Sequence, residues 1–338
     1  VQNADVIVVG GGPAGSACAT ALTRAGRDVL VLDRARFPRV KLCAGWVTPG
    51  VFDALGLDPR AYPAGLHVLD RLMIHAFGVT VPFRTRQYSV RRVEFDDFLL
   101  RRSGARVIHH TVRDIATQGG HYVVDGAFRA PHIVGAGGTR CPVQRLLFRD
   151  RHARDPALQV AATELEFEYP WRDPRCHLWF FDHGLPGYAW YVPKADGWLN
   201  LGIGAMAEPL RRRRQNLHEH WERLLARLRR QGMLDERTLQ PAGYSYFLRE
   251  RRGPYRNGNA WLAGDAAGMA TRDLGEGIGP AIRNGAAIAA GIVHGAPVNL
   301  DDISVLSVDE LLAGAWRSAG RALLRLIGVL PRQLAPTV

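Results

Sequence analysis

The first thirty-three residues constrain this chain most. Asp5-Val-Ile-Val-Val9 is a β-branched run bounded by glycine, the composition of a parallel strand buried on both faces. It runs into Gly10-Gly-Gly-Pro-Ala-Gly15. A helical pattern follows over residues 16–25, Gly26 is a natural stop, and a second strand over residues 28–32 ends at Asp33. In Gly10-x-Gly12-x-x-Gly15 the first glycine permits a tight turn, the second lets backbone approach a pyrophosphate, and the third permits close helix-to-strand packing. Free N–H groups and the dipole at the helix start favour an anion. Asp33 lies 18 residues after Gly15, where a carboxylate can bond a ribose hydroxyl. Together these features predict a dinucleotide-binding βαβ unit.

Further along, residues 66–90 turn to short alternating stretches, read as antiparallel strands inserted between core elements. Residues 94–101 predict a helix, and residues 106–110 and 133–134 predict returning core strands. Residues 158–204 predict long strands with a turn near 184–187. Residues 208–230 predict one basic surface helix, with Arg211 to Arg214 on a solvated face. Residues 259–263 form a short apolar strand leading into Gly264-Asp265. Residues 275–293 predict a small-residue helix, and residues 301–330 a C-terminal helical region. The expected fold is α/β: a Rossmann-like, discontinuous dinucleotide-binding domain (1–65, 91–150 and 255–300), a mainly antiparallel-β substrate domain (66–90 and 151–254), and a C-terminal helix within 301–338.

Composition narrows the function. Of 338 residues, 47% are hydrophobic and 22% charged, which excludes a disordered chain. The net charge of +12 is almost all arginine, Lys41 and Lys194 being the only lysines. The arginines are scattered and no nucleic-acid motif accompanies them, so no nucleic-acid partner is expected. They suit a diphosphate or the surface of an anionic membrane, or they reflect a compositional preference. No apolar run approaches the roughly 20 residues of a membrane span, and no secretory leader is visible. Cys18, Cys43, Cys141 and Cys176 have neither Cys-x-x-Cys nor zinc-ligand spacing. The expectation is a reducing, cytoplasmic setting and no metal, with Cys18 as core packing. No Gly-x-Ser-x-Gly elbow points to a hydrolase.

Two distant motifs give the fingerprint its specific meaning. Gly264-Asp265-Ala-Ala-Gly268 follows a short strand, and Gly275-Glu-Gly-Ile-Gly279 starts a helix. With the N-terminal glycines they resemble the FAD-binding signatures of the flavoprotein hydroxylase superfamily, the p-hydroxybenzoate hydroxylase-like fold. Lys41-Leu-Cys43-Ala-Gly45 is similar to the Lys-x-Cys-Gly-Gly segment of its geranylgeranyl reductase branch, with Ala44 for a glycine. Arg92-Val-Glu-Phe95-Asp96 resembles an Arg-x-x-Phe-Asp segment whose arginine serves the cofactor. Tyr188-Ala-Trp190-Tyr-Val-Pro193 resembles an aromatic-x-Trp-x-Phe-Pro signature, with Val192 for the usual aromatic.

The resemblance implies FAD held by Gly10, Gly12, Pro13, Ala14, Gly15, Asp33, Arg34, Cys43, Ala44, Arg92, Val112, Gly135, Ala136, Gly137, Gly264, Asp265, Gly275, Gly277 and Ile278. Asp265 would meet the ribityl chain, and the dipole of the second glycine-rich helix would favour negative charge at the flavin's pyrimidine end. NADPH or NADH would be the electron donor. One departure stands out: Gly135-Ala-Gly137-Gly138-Thr-Arg-Cys141-Pro has Gly137 where hydroxylases carry an aspartate linked to NADPH handling, and Cys141 for the usual serine.

The resemblance also implies an FAD-dependent oxidoreductase acting on an apolar, isoprenoid-like or aromatic substrate, by hydride transfer to a double bond. Cys43, Tyr188 and Trp190 would be its catalytic set, Cys43 as proton relay or gate and the two aromatics as cavity wall. The alternative is a flavin-dependent monooxygenase or halogenase; Tyr188 stands where the halogenase Trp-x-Trp-x-Ile-Pro signature has its first tryptophan, and neither lysine is an evident catalytic one. A third reading is a non-catalytic flavoprotein scaffold. The rings of Trp179, Phe180, Phe181, Tyr188, Trp190 and Tyr191 serve either core packing or an apolar pocket. His109 and His110 read as a solvated pair, and His177 and His183 as residues near the cavity in a hairpin.

Overall fold

The computed structural model describes residues 1–151, 153–250, 255–295, 297–298, 300 and 303–307. Its centre is a six-stranded sheet in the order Arg256–Asn257, Ala260–Leu262, His132–Gly135, Val6–Val9, Val29–Asp33, Arg106–His109. All neighbours are parallel except the first pair. Val6, Ile7, Val8 and Val9 are at most 4% exposed, as expected of a run covered on both faces. The chain leaves this strand towards Val29–Asp33 on one side and returns to His132–Gly135 on the other. That reversal opens a crevice at the carboxyl ends of the strands, where open α/β sheets take their ligands.

Helices Pro13–Arg24 and Ile278–His294 lie together on one face of the sheet. Small residues set their spacing: a Cβ on Gly285 would stand 2.2 Å from the Ala14 carbonyl oxygen. Arg92–Arg102 packs beside the first of them.

The second layer is an eight-stranded sheet in the order Ala242–Phe247, Gln159–Glu168, Trp198–Met206, Gly187–Lys194, Cys176–Phe180, His67–Ala76, Val79–Ser89, Trp46–Val47. It is antiparallel except where Cys176–Phe180 runs parallel to His67–Ala76. Strand alternation divides its rings between two faces. Trp179 and Tyr191 point outwards and pack with Leu199, Leu201 and Trp221, while Leu178, Phe180, Trp190 and Val192 face the first layer.

Some elements depart from the sequence expectation. The basic helix is two helices, Ala207–Arg212 and Leu217–Arg230. Arg214 adopts a left-handed φ of 53°, and the Asn216 side chain caps the second helix by accepting the Glu219 N–H at 2.9 Å. That helix buries Trp221, Leu224, Leu225 and Leu228 against the outer face of the large sheet, with Arg211 to Arg214 exposed ahead of it. A small four-stranded sheet, Gln2–Asn3, Phe128–Ala130, His121–Val124 and Ile115–Gln118, was not anticipated. The C-terminal helix expected over residues 301–330 falls almost wholly outside the described residues. Among the described residues, no helix is long and apolar enough to cross a membrane, and no cluster of metal-ligating side chains occurs.

Candidate active site

A cavity of about 700 Å³ lies between the two layers, at the carboxyl ends of the parallel strands. Of the nineteen positions expected to hold cofactor, Gly10, Gly12, Pro13, Ala14, Asp33, Arg34, Cys43, Ala44, Arg92, Val112, Ala136, Gly137, Gly264, Asp265, Gly275, Gly277 and Ile278 line it, as do Tyr188 and Trp190. Gly15 and Gly135 stand behind the lining. A Cβ on Gly15 would come within 1.9 Å of the Gly10 carbonyl oxygen, and one on Gly135 within 2.7 Å of Val143. Their service to the site is close packing.

At the fingerprint, Pro13 opens the helix and no side chain caps it, so its first N–H groups remain for a ligand. Asp33, 9% exposed, accepts the Gly11 N–H at 2.7 Å and the Ala35 N–H at 2.8 Å, which fixes its carboxylate at the end of its strand. Arg39, unremarked in the sequence, lies beside Gly12: a Cβ there would be 3.4 Å from its Nη2. Its other terminal nitrogen, Nη1, is buried without a partner among the described residues. An unpaired guanidinium nitrogen beside a glycine turn and an uncapped helix start fits the pyrophosphate of a dinucleotide. Arg34, Arg140 and Arg145 also line the cavity, so part of the scattered positive charge converges here.

Arg92 is buried, and its fork is engaged by Asp96, with Nε to Oδ1 at 2.7 Å and Nη2 to Oδ2 at 2.8 Å. Arg39 reaches the same carboxylate at 3.1 Å. Burial disfavours the Arg92 charge, but Asp96 and the Cys43 sulfur outweigh it and hold the guanidinium ionised. At the other glycine-rich turn, Glu276 accepts the Gly279 N–H at 2.7 Å. The helix start expected to face the flavin's pyrimidine end thus already carries a carboxylate of its own. Asp265 stands 4.0 Å from the Lys41 ammonium.

Opposite these groups is a wall from the large sheet. Tyr188 and Trp190 lie on the same face of one strand, ring centres 5.8 Å apart, and each is fixed by its polar atom. The Tyr188 hydroxyl donates to the Leu274 carbonyl at 2.5 Å, and the Trp190 indole N–H to Asn200 Oδ1 at 2.7 Å. The Trp190 ring lies across Gly202 of the neighbouring strand, where a Cβ would approach it to 2.2 Å. Leu178, Val192, Tyr244 and Tyr246 extend the wall, and the Lys41 ammonium sits over the Tyr244 ring at 5.1 Å. A second, smaller cavity of about 270 Å³ shares Tyr188, Tyr246, Leu274 and Gly275 with the first and is otherwise lined mostly by apolar side chains such as Val160, Phe180, Phe181 and Met206.

The Cys43 loop joins the two walls. Cys43 Sγ accepts the Gly45 N–H at 3.4 Å and meets the Arg92 side chain. The Cys43 N–H donates to Glu164, a strand residue that sequence reasoning passed over. Lys194 is fully buried and donates to the carbonyls of Ala44 and Val90, both at 2.7 Å, with Glu166 at 3.6 Å. It is a clasp for the loop, in keeping with its reading as a residue with another explanation than catalysis.

The histidines need correction. His110 is half-buried, lines the cavity and bonds Asp125 at 2.7 Å, so only His109 is solvated. His177 is outside the cavity lining, on the outer side of the sheet. It stacks with His75 and Trp179 and bonds His75 and Asp173, both at 3.0 Å. His183 sits exposed in the turn at 182–184. Cys18 is fully buried, and burial pushes its thiol up to about 12, as packing requires.

Residues 3–294 match the model of a family described as FAD binding domain. Menaquinone reductase of Mycobacterium tuberculosis is 34% identical over 232 residues, 61% of this chain but 56% of that protein, so the alignment spans little more than half of the relative's length. Menaquinone reductase of Mycolicibacterium smegmatis is 31% identical over 99% of this chain and 87% of its own. Among solved structures, a geranylgeranyl bacteriochlorophyll reductase-like protein of Thermoplasma acidophilum superposes with a TM-score of 0.75 at 20% identity, covering 87% of this chain and 78% of that one. A triple mutant of a flavin-dependent brominase superposes with a TM-score of 0.73 at 20% identity, covering 96% and 94%. With fingerprint, acid and second glycine turn gathered round one cavity, the chain belongs to the FAD binding domain family and shares its α/β fold and its cofactor, FAD.

Proposed function

We propose that the chain is an FAD-dependent oxidoreductase that reduces a double bond of an apolar, isoprenoid-like substrate. The observation that carries the reading is the joining of Cys43, Tyr188 and Trp190 in one cavity with the expected FAD contacts. The names of the mycobacterial relatives and the reductase-like structural neighbour support it, as does the apolar annex beyond Tyr188.

Bound FAD supplies the two-electron chemistry, while the protein orients the reactants and excludes water. Gly10 to Ala14, Asp33 and Arg39 would hold the adenosine and pyrophosphate portion, and Asp265 the ribityl portion. Trp190 and Tyr188, immobilised by Asn200 and the Leu274 carbonyl, would wall the substrate's unsaturated carbons and keep water from them. Cys43 Sγ gives its proton to the carbon next to the one receiving hydride, and solvent restores the thiol. NADPH or NADH is the donor in this reading, reached without the hydroxylase aspartate that Gly137 replaces. In this reading residues 1–65, 91–150 and 255–300, which carry the six-stranded sheet and the small four-stranded one, make up the cofactor domain, and residues 66–90 with 151–254 the substrate domain, while Trp46–Val47 pairs into the large sheet.

A monooxygenase or halogenase reading draws on Lys41, an amine lining the cavity beside Tyr244. One experiment separates the two. Protein reduced anaerobically with dithionite is given a polyprenyl quinone in detergent micelles, and the product is weighed. A gain of two hydrogens that remains after the product's ring is reoxidised in air to the quinone, and so lies in its side chain rather than in the quinol that dithionite makes by itself, supports the reductase. No such product anaerobically, with an oxygen atom, or a bromine atom when bromide is added, gained only in air, supports the alternative.

A further inference from the structure

Glu164 lies in the middle of Gln159–Glu168, on the face turned towards the cofactor layer, and is 1% exposed. It sits in a row with Gly202 and Trp190 across three strands. Its Oε1 accepts the Cys43 N–H and stands 3.5 Å from Asn200 Nδ2. Asn200 in turn accepts the Trp190 indole N–H and approaches the Cys43 carbonyl at 3.4 Å. One carboxyl thus supports two of the three proposed substrate-side residues, Cys43 directly and Trp190 through Asn200. Its other oxygen, Oε2, is buried with no hydrogen-bond partner among the described residues.

A buried carboxylate needs hydrogen bonds on both oxygens to offset its desolvation. An unpartnered oxygen costs less in the neutral acid, which carries no net charge to desolvate, so a carboxyl with one orphaned oxygen favours its protonated form. We propose that Glu164 is a proton-bearing positioning residue of the flavin site: as a neutral acid it holds the Cys43 loop, and its ionisation places a negative charge directly behind that loop. The proposal rests on Cys43 lying on the substrate side of bound FAD. The proton released on ionisation goes to solvent, and no bond between heavy atoms changes.

The surrounding charges leave this equilibrium near neutrality. Burial raises the Glu164 proton affinity, and the Cys43 N–H, Lys194, Asn200 and Lys41 oppose it, so the carboxyl is pushed up to about 7. Cys43 and Lys41 face it from the loop and Lys194 from the next strand but one. Tyr244 and Tyr246 face it from the edge strand, their phenols raised by burial and, to a lesser extent, by Glu164 itself. Glu166, on its own strand, is taken up by Lys194 and Arg91.

Two measurements on the holoprotein test this, and neither reads turnover. In the first, the flavin midpoint potential is measured at pH 6 and pH 8.5 for wild type and Glu164→Gln, whose amide oxygen still accepts the Cys43 N–H. The two proteins should agree at pH 6. At pH 8.5 the wild type should be harder to reduce, because only it gains the negative charge. Equal separation at both pH values overturns the proposal. In the second, difference infrared spectra of the wild type alone are taken across pH 6 to 8.5, so the test survives a variant that fails to fold. A buried protonated-carboxyl stretch should be lost as pH rises, and its absence at pH 6 overturns the proposal. Neither readout depends on the substrate. A failed search for a reduced product with both readouts positive would remove the reductase reading and leave Glu164 in place.

Discussion

The Lys194 ammonium donates to the carbonyl oxygen of Ala44 at 2.7 Å, tying the strand that carries Trp190 to the loop that carries Cys43. The amine is fully enclosed. Burial disfavours its charge, and Glu166 is foremost among the groups that restore it. Lys194→Met should leave the Ala44 and Val90 carbonyls without their donor and Glu166 to Arg91 alone, lowering stability by about 3–5 kcal/mol, the scale for breaking a buried ionic contact from one side. Urea unfolding checks this, and a loss below about 1 kcal/mol would show that the clasp is dispensable.

Asp33 accepts the Gly11 and Ala35 N–H groups at the glycine turn that the proposed reading assigns to the adenosine end of FAD. Asp33→Ala should weaken FAD binding by about 1–3 kcal/mol, the range for a charge-assisted hydrogen bond. Titration of apoprotein with FAD, followed by quenching of flavin fluorescence, measures it. The wild-type protein should be yellow and release FAD, not FMN, on denaturation.

Cys43→Ser nearly preserves volume and exchanges thiol for hydroxyl. It should retain FAD and slow the protonation-linked half-reaction by about 10²–10⁴-fold. Unchanged turnover would assign the proton to solvent. Trp190→Ala should enlarge the cavity and free Asn200, altering substrate preference more than FAD content. Its stability loss should be about 3–5 kcal/mol, as for other buried tryptophans.

On the outer face, burial depresses the proton affinities of His75, to about 4, and of His177. The unfolded chain therefore binds more protons than the native one below about pH 6.5, so stability falls as pH drops from there towards 4. His75→Gln should flatten that acid limb of the Tm profile. Parallel profiles for the two proteins would show that His75 does not contribute to it.

How much of this was legible in the sequence follows from how locally each feature is encoded. Val6–Val9, the glycine turn and Asp33 are contiguous, and their order allows little but a βαβ opening. Glu164, Asn200 and Lys194 meet only because the register sets Glu164 opposite Gly202 and Asn200 opposite Val192. Along the chain each reads as an ordinary strand residue. A signal did exist: Glu164 falls on the same side of its strand as Val160 and Ala162, and Asn200 lies between the buried Leu199 and Leu201. A polar residue at an apolar position of the alternation marks a functional or strained place. Tyr244 and Tyr246, two residues apart, were likewise visible as a period-two pair once their segment is recognised as a strand. Arg39 had no such signal, because it lies in a loop whose path only the folded chain reveals.

Trp190 owes its flat posture to what the neighbouring strand omits. At Gly202 a methyl group would collide with the indole, whereas at Gly204 the same group would sit 3.4 Å from the ring edge, an ordinary contact. The two glycines therefore act as unequal adjusting screws behind the substrate wall. A side chain at the first would drive the tryptophan forward and make the chamber shallower. One at the second would brace the ring where it stands. The depth of the chamber can thus be retuned by backbone positions behind the ring, with the indole itself retained.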